Sequence, residues 1–115
     1  MVSSSIAQPI TTKQLDASAE CVAASYVIAG SFKSSGKTYE EQMYSSLSKK
    51  LMEKFYQELG TYASGDIPTS KQLGTLPNEK LNLYQILARG GEVEQMKYAK
   101  SIMEKNNCLD VLRVK

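Results

Sequence analysis

Met43, Leu47, Leu51, Phe55 and Leu59 recur every four residues, and no other regularity in the 115-residue chain constrains its fold so tightly. Apolar groups at that interval step along one ridge of an α-helix. Tyr44, Met52 and Tyr56 form a second ridge beside the first, so the apolar stripe is wide. A helix of this kind is either central to its domain or keeps one ridge for a partner. Thr38 with Glu41 reads as a capping box at its start, and Glu40 adds negative charge near the positive end of the helix dipole. Gly60 is expected to end it.

The same spacing marks three more helices. From Thr11 to Ile28, Leu15, Ala19, Val22, Ala23, Tyr26 and Val27 fall on one face, with Thr11 and Gln14 as the capping box and Gly30 with the following KSSG as the stop. That face is mostly alanine and valine, with Ala17, Ala24 and Ala29 nearby, so neighbouring helices can approach closely. A third helix, Asn78 to Arg89, carries Leu81, Leu83, Tyr84, Ile86 and Leu87, with Pro77 before it and Gly90-Gly91 after it. The fourth, Glu92 to Lys105, turns Val93, Met96, Ala99, Ile102 and Met103 inward. No segment alternates as a half-buried strand does, although CLDVLRV at the end suits either a short strand or a last helical turn. The expected fold is all-α, a single-domain four-helix arrangement over residues 11–115 behind a flexible tail at 1–10.

Between the second and third helices lies TYASGDIPTSKQLGTLP, 17 residues, against the roughly two to eight usual between packed helices. Ile67, Leu73 and Leu76 are placed to pin it to the core. Tyr62 and Asp66 are the side chains it would present if it served recognition.

A hydrophobic share of 42% with 23% charged residues is the balance of a globular chain. The net charge is +2, and only Arg89 and Arg113 among the fourteen basic residues are arginines, so nucleic acid is not the expected partner. No stretch approaches the roughly 20 apolar residues of a membrane-spanning helix, which leads to the expectation of a soluble chain with no membrane span. The opening MVSSSIAQPI carries neither the charged n-region nor the apolar h-region of a secretory signal. It equally suits a chain whose leader has been replaced by a start methionine.

GSFKSSGKT, Gly30 to Thr38, ends like a phosphate-binding loop. Such a loop needs four residues between its first glycine and the Gly-Lys pair, and five stand here. It must also follow a strand, whereas this segment follows an alanine-rich helix and opens one whose Glu40 and Glu41 would repel phosphate. The reading is an inter-helix turn with Thr38 as N-cap. Histidine is absent, which removes the usual general base and the commonest metal ligand. Asp16, Glu20, Glu53, Glu58, Glu92, Glu94 and Glu104 occupy solvent-type positions among lysines, and Asp16 and Glu20 form a like-charge i,i+4 pair. No catalytic site, metal site or cofactor is assigned, and the chain is not expected to be an enzyme.

Cys21 lies on the first helix and Cys108 just past the fourth. In an up-down-up-down bundle the two chain ends share one end of the molecule, which lets the pair form a disulfide and implies an oxidising compartment. The other reading is two small buried apolar residues. Of the seven tyrosines, Tyr26 and Tyr84 are assigned to the core, and Tyr39, Tyr44, Tyr56, Tyr62 and Tyr98 to positions that reach solvent.

A cysteine on an alanine-rich opening helix (AECVAASYVIAG), a second near the end (NNCLDVL) and four helices between them resemble, in layout, small exported helical two-cysteine bacterial proteins, among them periplasmic immunity and inhibitor proteins. The resemblance implies export to the periplasm or beyond, a disulfide and a protein partner. The expected function is accordingly a non-enzymatic protein-binding domain, an inhibitor or immunity protein acting on a secreted or periplasmic enzyme, with Tyr44, Met52, Tyr56, Tyr62 and Asp66 as contact residues. The alternative is a cytoplasmic helical adaptor or regulator, of the phage or mobile-element kind, with free thiols and a homodimer through the same ridge.

Overall fold

The computed structural model describes residues 10–63, 73–87 and 91–113, with the backbone alone at 63, 84–87, 92 and 111–113. Within them the chain is all-α: α1 (Thr12–Ser34), α2 (Thr38–Ala63), α3 (Leu76–Leu87), α4 (Glu92–Lys105) and a closing 3₁₀ helix (Cys108–Arg113). A long loop separates α2 from α3. Of the tail at 1–10, only Ile10 is described, and it packs partly buried against the core.

The α1 start follows its capping box: Thr11 Oγ1 accepts from the Gln14 N–H at 3.1 Å and the Thr11 N–H donates to Gln14 Oε1 at 2.8 Å. Its end falls within the expected KSSG stop, Lys33–Gly36, and not at Gly30, which sits inside the helix. The chain turns at Gly36 (φ 74°), where the Gly36 N–H donates to the Lys33 carbonyl and the Lys37 N–H to the Phe32 carbonyl. This is the Schellman pattern, which needs a left-handed residue; Gly30 does not adopt one. Glu41 then donates its N–H to the Lys37 carbonyl, so Lys37 is the cap position and Thr38 the first residue of α2. Gly60, likewise, lies inside α2, which continues to Ala63. A glycine interrupts a helix when the tertiary fold asks for positive φ there, and neither Gly30 nor Gly60 is so used.

The central element is α1, which packs against α2, α3 and α4. Leu15, Ala19, Val22 and Ala23 are buried as their spacing implies, and so are Ser18, Cys21, Ala24, Ser25, Ile28 and Ala29. Ser25 Oγ donates to the Val22 carbonyl at 2.8 Å, so its hydroxyl is satisfied within the helix. Helices carrying alanine and serine on several flanks can be approached closely from several sides. On α2 the ridge of Leu47, Leu51, Phe55 and Leu59 is buried against α1, but Met43, the first member of that ridge, is exposed. Tyr26, assigned to the core by periodicity, is also exposed, because no described helix covers that flank of α1. Tyr84 lies outside the described side chains.

α3 begins two residues earlier than its pattern suggested, with Pro77 buried in the first turn, where a missing N–H costs no helical hydrogen bond. Leu73 and Leu76 pack partly buried against the core, as expected of the loop's anchors; Ile67 and Asp66 lie outside the described residues. α4 has the expected bounds, with Ala99, Ile102 and Met103 buried and Met96 packed partly buried, but Val93 points to solvent. Asn107 takes a left-handed conformation (φ 51°), and the chain turns back into a 3₁₀ helix rather than a strand.

That turn delivers Cys108 to Cys21: the two are at disulfide distance, with S–S 2.08 Å and Cα–Cα 5.5 Å across a sequence separation of 87. They meet near the middle of α1, not at a common end of a bundle. Both cysteines are buried. A cross-link closing a loop of that length constrains the unfolded chain by about 4–5 kcal/mol on the chain-entropy model. Replacing both cysteines by serine is expected to lower the urea-unfolding free energy by about that amount, and reductant should move only the unsubstituted protein. Overfilling the central helix is expected to be costly as well. Ala24→Leu should destabilise by roughly 1–3 kcal/mol in the same assay, whereas a loss below a few tenths would mean that α1 is not tightly enclosed.

Candidate interaction surface

Two polar ties hold the neighbours of α1 in register. On one side Lys80 of α3 reaches Asp16 Oδ1 at 2.7 Å and Glu20 Oε2 at 3.7 Å, and Asn106 Nδ2 donates to Glu20 Oε1 at 2.9 Å. The like-charge pair Asp16 and Glu20 is thus the two-pronged acceptor for a single lysine. Glu20 and Glu58 are half-buried rather than solvated: Ser18 Oγ donates to Glu58 Oε1, and Lys54 Nζ approaches Ser18 Oγ at 3.2 Å and Glu58 Oε2 at 3.0 Å. Every buried side-chain N or O among the described residues has a hydrogen-bond partner. Burial pulls the Lys80 ammonium toward neutrality, but the hydrogen bond and charge of Asp16, with Glu20 added, outweigh it and hold its pKa above the ordinary lysine value.

These ties have the character of structural contacts, since each polar group is consumed by another of the same chain. Among the described residues no three His, Cys, Asp or Glu side chains converge to hold a metal ion. No described helix is long and apolar enough to cross a membrane. GSFKSSGKT is the last turn of α1, a tight turn and the first residue of α2, with no strand before it.

What remains uncommitted is apolar surface on α2. The two ridges read from the sequence are divided differently in three dimensions. Tyr44 is turned inward, its ring 5.6 Å from that of Phe32, and is half-buried. Met52 and Tyr56 lie on one flank of α2 and, with Tyr26, Ala29 and Gly30 of α1, line an open groove of about 530 Å³ between the two helices. Tyr26 is 60% and Tyr56 52% exposed. Lys33, Glu41, Lys49 and Glu53 line the same groove, and none of them has an ion-pair partner among the described residues.

On the opposite flank of α2, Tyr39 (73% exposed), Met43 (50%) and Leu109 of the 3₁₀ helix (50%) form a second apolar surface over Leu47, with Lys50 at its edge. Tyr62 lies exposed on the last turn of α2 and does not line the groove, and Asp66 is outside the described residues. The apolar spacing places Tyr26 in the core and Met43 on the α2 ridge and gives Leu109 no contact role, yet all three are exposed. Periodicity cannot tell a covered ridge from an uncovered one, and Leu109 acquires its neighbours only through the Asn107 turn.

No family model, curated protein or solved structure matches the chain.

The Lys80 tie yields a signed pH prediction. A lysine whose folded pKa is raised stabilises the fold fully below its unfolded value near 10.5 and loses that contribution as pH climbs through the folded value. Stability is therefore expected to fall in the alkaline range above about 10.5. Lys80→Met should be less stable at neutral pH by about 1 kcal/mol and should flatten that alkaline loss. An unchanged alkaline profile in the variant would show that Lys80 does not carry it.

Proposed function

We propose that this chain is a non-enzymatic, exported protein-binding domain, an inhibitor or immunity protein of a secreted or periplasmic enzyme, that presents α2 to its partner. One observation carries the reading. α2 shows apolar side chains on both flanks, and neither α1 nor the 3₁₀ helix covers Tyr39, Met43 or Tyr56. Exposed aromatic and methionine side chains grouped on a rigid helix supply large contact area at small entropic cost, the composition that anchors protein interfaces. The surface by Tyr39, Met43 and Leu109 is bordered by the 3₁₀ helix, and Cys108 at the start of that helix pairs with Cys21, so an oxidised chain holds Leu109 rigidly in place. That pairing supports an oxidising compartment as the place of work.

The test is capture from periplasmic or secreted fractions of the source cell with the tagged, oxidised protein and a Tyr39→Ala/Met43→Ala variant. The unsubstituted protein is expected to retain a defined partner and to inhibit it stoichiometrically, and the variant to bind at least tenfold more weakly, the scale of losing two interface anchors, while keeping its helical circular dichroism. Equal capture by both proteins, or a captured enzyme whose activity is untouched, would sink the reading.

A further inference from the structure

The groove on the other flank of α2 is self-complementary, and we infer that its occupant is a second copy of this chain, related by a two-fold axis passing between Ser48 and Lys49. This inference rests on the protein-binding reading above and divides the labour of α2: one flank for the copy, the Tyr39–Met43–Leu109 surface for the partner.

The register follows from the groove's own residues. Small groups, Gly30, Ser45 and Ser48, lie toward the α1–α2 turn, and the large Met52 and Tyr56 lie farther along α2. Antiparallel pairing of the two α2 helices about that axis sets Met52 of each copy opposite Ser45 of the other, a knob over a small-residue hole. Tyr56 comes opposite Glu41, whose carboxylate suits the phenolic hydroxyl. Ser18 lies beside Glu58 and Phe32 beside Tyr44, which fixes how α1 runs along α2. By that register Glu53 of the second copy falls within about one residue of level with Lys33 and its Lys49 within one helical turn of Tyr26, close enough for a cation to reach an aromatic face. The groove charges without an ion-pair partner among the described residues thus find in the copy an opposite charge for Lys33 and Glu53, an aromatic face for Lys49 and a phenolic hydroxyl for Glu41. Closed two-fold pairing of one patch with itself is the commonest route to a soluble oligomer.

Gly30 provides an independent reason. It lies inside α1, one turn before the helix ends, without positive φ, and a Cβ added there would meet nothing within 4 Å among the described residues. Internal packing therefore does not require glycine, which weakens a helix relative to alanine. A side chain approaching from outside does require it, and Met52 of the second copy arrives there.

Sedimentation of the purified, oxidised chain across micromolar to submillimolar concentration tests the inference. The mass is expected to rise with concentration from 12.7 kDa toward twice that value. Gly30→Leu should fill the hole and weaken association at least tenfold while its melting temperature holds or rises. Lys33→Glu alone and Glu53→Lys alone should each weaken it by about tenfold, since two symmetric attractions become repulsions, and the double exchange should restore it. A mass of 12.7 kDa at every concentration, a dimer indifferent to Gly30→Leu, or failure of the double exchange to recover association would each overturn the inference. A strictly monomeric protein that still captures its partner through Tyr39 and Met43 would sink the dimer alone. A dimer of this register that captures nothing would sink the partner reading alone.

Discussion

A helix that must touch three others at once has to be narrow, and α1 meets that condition with alanine and serine at Ser18, Ala19, Ala23, Ala24, Ser25 and Ala29, all of them buried. Close approach multiplies weak dispersion contacts and removes apolar surface from water on several sides of one element. The larger side chains are supplied mostly by the partners of α1, with Leu51, Phe55 and Leu59 from α2 and Ile102 and Met103 from α4. The domain therefore has a thin centre and thick neighbours. Its order in space follows from which helix carries the small residues.

The C-terminal third depends on α1 in a second way. α3 and α4 are short, at 12 and 14 residues, and neither has the reach to enclose a core by itself. Lys80 fastens α3 to α1 through Asp16 and Glu20, and Asn106 fastens the end of α4 to the same Glu20. Cys108 adds a covalent tie one residue past the Asn107 turn. Glu20 and Cys21 are neighbours on α1, so polar and covalent restraints converge at one point on the central helix. Holding the 3₁₀ helix there is what sets Leu109 beside Met43 and Tyr39 and turns three separate side chains into one surface.

α2 then has more apolar surface than its neighbours cover. α1 takes the middle of its stripe, and both flanks stay exposed among the described residues, which is the physical basis for proposing the protein as a binder. Burial of charge follows the same economy of shape. The polar groups drawn inward, Ser18, Glu20, Glu58 and Lys80, are consumed in pairing within the chain, whereas the groove charges Lys33, Glu41, Lys49 and Glu53 have no ion-pair partner among the described residues.

The all-α class, the four helices, the capping box at Thr11, the bounds of α4 and the long loop after α2 were all legible in the sequence, because each rests on interactions within a few residues of the chain. The pairing of Cys21 with Cys108 was legible only as one of two readings. The KSSG stop of α1 was legible, but not which glycine caps it nor that α2 runs past Gly60, since Gly30, Gly60 and Gly36 look alike in sequence and only the backbone angle demanded by the turn distinguishes the one that caps. Of the candidate contact residues, Met52 and Tyr56 share a groove, Tyr44 is turned inward, and Tyr26, Met43 and Leu109 emerge at the surface. Periodicity is a property of a single helix and ranks its faces by polarity; which apolar face is covered depends on where the other helices lie. The sequence determined the helices and their sticky sides, and the tertiary structure alone decided which sides were left open, because coverage is a relation between elements that no one element encodes.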